Sequence, residues 1–234
     1  MEKIIGFALL TLLISCDTGF EVNLDCVLKH TAEVVNVESS LLGAKDQVLV
    51  NLTWRWTFQK PEGDAVIVGR SIGDSLHFGT IDTIWTIDTV MFYNDVDTVL
   101  SPGSLVYYRL ALLNGKAVDN FITTDVNIPS SQHFYQPSAD TLSGDTLYMT
   151  FAKLQNFDDY AIGIYKAFST EIESLVNLTI PLFADTITDT TIAVYIPDSV
   201  FPDTTVYTIK ISSSKILEFI TDSSIGFRAF FKRL

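Results

Sequence analysis

Gly69-Arg70-Ser71-Ile72-Gly73 has the residue types and spacing of a catalytic motif, the G-x-S-x-G nucleophile elbow. The elbow works by lifting a serine Oγ on a sharp strand-to-helix turn. The residues that follow, Asp74-Ser75-Leu76-His77-Phe78-Gly79, carry no amphipathic helical period, so Ser71 reads as the end of an ordinary β-strand. Hydrolysis is therefore a distant alternative. The histidines, His30, His77 and His133, are isolated along the chain. No H-x-H, H-E-x-x-H or paired-Cys spacing sets two metal ligands on one surface, and each histidine reads as a surface or loop residue. Phosphate-cradling glycine loops are absent, and acid/base work by two carboxylates needs a cleft that linear spacing does not show. The expectation is a noncatalytic chain with no catalytic residue, no resident metal and no cofactor.

Nine of the twenty aspartates are followed by threonine: Asp17, Asp82, Asp88, Asp97, Asp140, Asp145, Asp185, Asp189 and Asp203. A short carboxylate turns or caps the backbone while a β-branched neighbour favours extension, so the pair marks a loop entering a strand. The alternative is calcium, with Asp95 and Asp97, or Asp185 and Asp189, as oxygen ligands at loop edges. No dense Asp/Asn/Gly loop of the EF-hand type accompanies them. Trp54 and Trp56 fall with apolar neighbours and read as packing. A tryptophan exposed beside Tyr93, Tyr107 or Tyr108 would instead form a sugar-stacking platform, which keeps carbohydrate recognition as an alternative.

The elements that must position these residues are strands. Thr, Val, Ile, Tyr and Phe abound in the 234 residues, with Gly and Pro between apolar runs. In residues 47–58, Val48, Val50, Leu52, Trp54 and Trp56 share the even-numbered face, opposite a mostly polar odd one, the one-sided burial of a sandwich sheet. Short strands are expected over 20–28 and 33–37, then 65–69, 105–113 and 121–128. Residues 71–79 read as loop, and 81–92 as a strand whose phase needs a bulge or turn near Asp88. Further strands are expected at 145–154, 160–166, 176–183, 190–196, 206–212 and 225–231, with a short helix or irregular edge at 168–175. Connections this short place consecutive strands in antiparallel contact.

A Pro-containing turn followed by Val-Tyr occurs twice, at Pro102, Val106, Tyr107 and at Pro202, Val206, Tyr207. This twinning predicts an all-β chain of two tandem antiparallel β-sandwiches, residues 20–128 and 135–234, joined by a linker at 129–134. The segment Leu100-Ser101-Pro102-Gly103, followed by Tyr107-Tyr108-Arg109-Leu110-Ala111 and Asn114-Gly115, resembles fibronectin type III domains; the second copy resembles them less closely, and a generic immunoglobulin-like pair is the fallback. The family's corner tyrosine position is held by Val106 and Val206, one residue before a tyrosine in each copy. The resemblance implies binding or spacing modules.

Residues 1–16 have Lys3, an apolar run over 4–14, and then Ser15-Cys16. The run is shorter than the roughly 20 residues of a membrane-spanning helix. Leu13-Ile14-Ser15-Cys16 resembles the lipobox of bacterial lipoproteins, which implies a signal peptide over 1–15, lipidation of Cys16 by acyl chains such as palmitate, and a short tether over 16–19. Cys26 would then be left without a disulfide partner and reads as a small core residue. The net charge of −13 opposes nucleic acid as a partner. Arg228, Lys232 and Arg233 read as a solvated strand end. The expected address is the bacterial cell envelope, membrane-anchored and facing the periplasm or exterior, with an envelope protein or a glycan as partner.

Overall fold

The computed structural model describes residues 26–57, 61–202, 205–216 and 220–233. The first strands are β1 (Cys26–Ser39), β2 (Gly43–Trp56), β3 (Ala65–Ile72), β4 (Gly79–Ile84), β5 (Val90–Asp95), β6 (Leu105–Asn114) and β7 (Ala117–Asn127). After a connection come β8 (Phe134–Gln136), β9 (Thr141–Ser143), β10 (Thr146–Phe151) and β11 (Tyr160–Tyr165). A short helix, α1 (Ile172–Val176), precedes β12 (Phe183–Ile187), β13 (Thr191–Tyr195), β14 (Val206–Ile216) and β15 (Ile220–Arg233). The expected strands at 20–28 and 33–37 fall on one continuous strand as far as they are described. The expected strand at 176–183 is instead the end of α1, a connection and the start of β12.

Among the described residues three sheets result. The strands order β4-β3-β6-β7 in one and β13-β10-β8 in another, while an eight-stranded sheet runs β12-β11-β14-β15-β1-β2-β5, with β9 also against β15. Alternation explains which face each strand buries. On β2, Val48, Val50, Leu52, Trp54 and Trp56 are all buried, and Thr53 and Arg55 are exposed. Each such side chain contributes on the order of 1.5–3 kcal/mol when fully buried. These residues pack with Val66 and Val68 of β3, Val106, Tyr108 and Leu110 of β6 and Val126 of β7 in one apolar core. A second core joins Leu147, Met149 and Phe151 of β10 with Ile162, Ile164, Tyr207, Ile209, Ile211 and Phe230. The described chain is thus predominantly β, with sheets packed face to face over these cores.

The join between these halves departs from the antiparallel expectation. β1 and β15 pair in parallel, with His30 opposite Ile220 and Val37 opposite Phe227. Residues opposed in a ladder share a face. Ala32 and Val34 of β1 point into the first core and Phe230 of β15 into the second, so both smaller sheets pack on the same side of the long sheet. On that side, the connection fills the space between them: the Ser224 hydroxyl donates to the Ser130 carbonyl at 2.8 Å, and the Gln132 carboxamide nitrogen donates to the Ala152 carbonyl at 2.9 Å. The opposite side of the seam carries Val35, Val37, Ile225, Phe227 and Ala229, covered by Leu175 of α1 and by Leu42. Lys210 Nζ fastens the helix by donating to the Val176 carbonyl at 2.6 Å.

The twin turn-strand segments differ in phase. Val106, Tyr108 and Leu110 are buried on β6, whereas Tyr207, Ile209 and Ile211 are buried on β14. Counting from Pro102 and Pro202, the second strand enters its core one residue out of step, and a one-residue slip exchanges the two faces of a strand. Tyr207 consequently donates its hydroxyl to the Pro202 carbonyl at 2.8 Å, the bond of a tyrosine corner. Tyr107 is only half-buried, and Tyr108 turns inward instead.

Candidate binding surface

Cys16, with the expected signal peptide and tether, lies outside the described residues. Ser71 is in β3, buried, with the strand running on to Ile72 and pairing with β6 at Tyr107, so no strand-to-helix turn presents it. Its neighbour Arg70 reaches across to the other sheet and donates to both carboxylate oxygens of Asp95 at 2.7 and 2.8 Å, and to Asp97 at 2.8 Å. Tyr108 donates its hydroxyl to Asp95 at 2.8 Å. Burial and the Asp95 carboxylate push the Tyr108 hydroxyl far above its ordinary range, so it acts as a donor. The Arg70 hydrogen bond holds the Asp97 carboxyl below the usual carboxylate range. These residues tie β3, β5 and β6 together.

The aspartates proposed as calcium ligands are engaged with the protein itself. Asp95 and Asp97 accept from Arg70, while Asp185 accepts from the Thr186 N–H at 2.8 Å and Asp189 from the Thr190 N–H at 2.7 Å. Asp82 and Asp88 likewise accept from the N–H of the threonine that follows, each at 2.6 Å. Among the described residues no group of three or more His, Cys, Asp or Glu side chains is placed to hold a metal ion.

Two expectations for charged residues are overturned. His30 is buried in β1, and burial pushes its pKa below the ordinary value. His77 and His133, by contrast, are exposed loop residues as expected, paired with Asp74 and Glu38. Two of the C-terminal cations are not solvated: Lys232 is buried and donates to the Ile196 carbonyl at 2.7 Å and to Asp198, and Arg228 pairs with Asp140 at 3.0 Å. Sequence spacing missed both because their carboxylate partners lie in loops tens of residues away. Cys26 is a core residue whose thiol is pushed up to about 11 by burial.

The surface best suited to meeting a partner is the end of the long sheet at β5. Among the described residues this edge strand pairs only with β2, with Arg55 opposite Val90 and Thr53 opposite Phe92. Alternation turns Met91 and Asp95 inward and leaves Val90 and Phe92 exposed, the latter 73%. Across β2 lie Val27 opposite Arg55 and Lys29 opposite Thr53, so two cross-strand rows, Val27-Arg55-Val90 and Lys29-Thr53-Phe92, form one outer face. A depression of about 440 Å³ is lined by Val27, Lys29, Thr53, Arg55, Thr57 and Val90. Around the edge, a groove of about 540 Å³ is lined by residues of β4 and β5 together with Thr86 and Asp88. Trp85, in the connection between those strands, is 69% exposed, whereas Trp54 and Trp56 are buried. Sequence alternation found the buried face of β2 but not this outer surface, since Val90 and Phe92 resemble core residues until their strand is placed at an edge.

No family model and no curated protein sequence matches the chain. Among solved structures the chain is similar to the FN1-FN3 domains of chicken CNTN1, at 12% identity over 86% of this chain and 64% of that one, with a TM-score of 0.36. The chain therefore spans less than two thirds of the length of that segment. It is also similar to a two fibronectin type-III domain segment from chicken tenascin, at 13% identity over 76% of this chain and 91% of that one, with a TM-score of 0.27.

Proposed function

We propose that this is a noncatalytic, lipid-anchored bacterial cell-envelope protein that binds or spaces other surface components. In this reading residues 1–15 are a signal peptide, Cys16 carries the lipid, and residues 16–19 are a tether. Two β-sandwich domains follow, residues 20–128 and 135–234, joined by 129–134. The observation that carries the proposal is the lipobox-like Leu13-Ile14-Ser15-Cys16 at the end of an apolar run. It lies ten residues before Cys26, where the described part of β1 begins. No described helix is long and apolar enough to cross a membrane. Several acyl chains anchor stably where one binds only marginally.

Two halves joined into one sheet along β1 and β15 and sealed by α1 suit a spacer, because they share backbone hydrogen bonds as well as a linker. The free edge of β5 suits binding by strand addition. Exposed Trp85 favours a second reading, carbohydrate recognition by stacking. Metabolic labelling with a fatty acid tests the anchor: label should enter the wild-type chain and be absent from Cys16→Ala, and label retained in the variant would refute it. Pull-down from solubilised envelope, run beside a glycan array, separates the two binding readings.

A further inference from the structure

We propose that the outer face of β1, β2 and β5, at its Val27-Arg55-Val90 end, docks onto the anionic headgroups of the bilayer in which the chain is anchored. The inference rests on the anchor at Cys16. Three observations support it. The exposed apolar side chains Val27, Val90 and Phe92 stand in the same two rows as the exposed cations Lys29 and Arg55. Arg55 enters no ion pair among the described residues, although the whole chain carries 28 acidic and 15 basic side chains. Apolar groups that enter the headgroup boundary beside cations that meet anionic lipid make an interfacial binding surface.

The third observation is position. Val27 lies eleven residues beyond Cys16, a span that a chain covers within about 40 Å even when fully extended. A lipid at Cys16 therefore holds this end of the sheet close to the membrane and raises its effective concentration there. A patch too weak to recruit a free protein can then dock. Once docked, it would fix how the long sheet stands on the membrane.

The test uses the lipidated protein reconstituted into vesicles, with a nitroxide on F92C and, as reference, on Y148C, an exposed residue of β10. In vesicles containing phosphatidylglycerol, the label at 92 should become accessible to oxygen and protected from a water-soluble nickel chelate, while the label at 148 stays accessible to the chelate. The Arg55→Gln substitution should lower the docked-to-undocked ratio about fivefold, the weight of one cation contact with an anionic surface, and phosphatidylcholine alone should lower it at least as far. Chelate access at 92 equal to that at 148 in floating, anionic vesicles would overturn the docking surface and leave the anchor intact. Spin–spin broadening at 92 whatever the lipid would assign the face to a second copy and also overturn it. Failure of the protein to float with vesicles would remove the anchor, and the docking surface with it.

Discussion

A Cβ placed on Gly226 would stand 2.8 Å from the carbonyl oxygen of Gln132. The glycine lies in β15 opposite Asn36 of β1, where the connection between the halves crosses the long sheet. Backbone meets backbone there, and a rigid carbonyl is not displaced as a side-chain tip would be. Gly226→Ala is therefore expected to destabilise by about 1–3 kcal/mol, the usual cost of overpacking. Gly79→Ala, whose Cβ would have only the Arg70 carbonyl within reach at 3.9 Å, should be neutral or stabilising by about 0.4–1 kcal/mol. Denaturant unfolding of the two variants distinguishes a close seam from a general intolerance of added methyls.

The phase slip between the twin segments makes equivalent tyrosines unequal. Tyr207→Phe removes the donor to the Pro202 carbonyl and should cost about 1 kcal/mol. Tyr107→Phe, at the matching distance from its turn, should change stability by less than about 0.5 kcal/mol. Equal losses in chemical denaturation would mean that the two strands enter their cores in the same phase.

Arg70 and Asp95 form an ion pair with little solvent access, Asp95 being 2% exposed. Arg70→Met leaves a buried carboxylate supported by the Tyr108 hydroxyl and should destabilise by about 3–5 kcal/mol. Adding Asp95→Leu should recover much of that loss, because the desolvated charge goes with it. A double-mutant cycle measures the coupling, and simple additivity would contradict the pairing.

Acid should weaken the fold in two windows. Burial lowers the pKa of His30, with Asp125 opposing, so the unfolded chain takes up this proton first; the stability is present above about pH 6.5 and declines as pH falls below it. Asp97 is lowered by its bond from Arg70, so its contribution is present above about pH 3.9 and is lost as pH falls through the lower folded value. Unfolding free energy measured against pH should flatten in the upper window for His30→Gln and in the lower one for Asp97→Asn. An unchanged profile in either variant would remove that residue from the account.

The alternation of Val48 through Trp56 was readable along the chain, because side chains on a strand alternate with period two and one face of β2 meets a core. The Asp-Thr pairs were readable for a related reason: the carboxylate bonds the next backbone N–H, as at Asp88 and Asp189, a local interaction that needs no distant partner. The parallel pairing of β1 with β15 has no such local mark. It joins residues about 190 apart through backbone groups that every residue possesses. Burial of His30 and Lys232, and exposure of Phe92, follow from neighbours and sheet edges supplied only by that assembly. Local residue chemistry determined where the chain extends and which side of a strand is apolar; tertiary structure decided which strands became neighbours, because backbone hydrogen bonds are alike at every position and select partners only once the cores have formed.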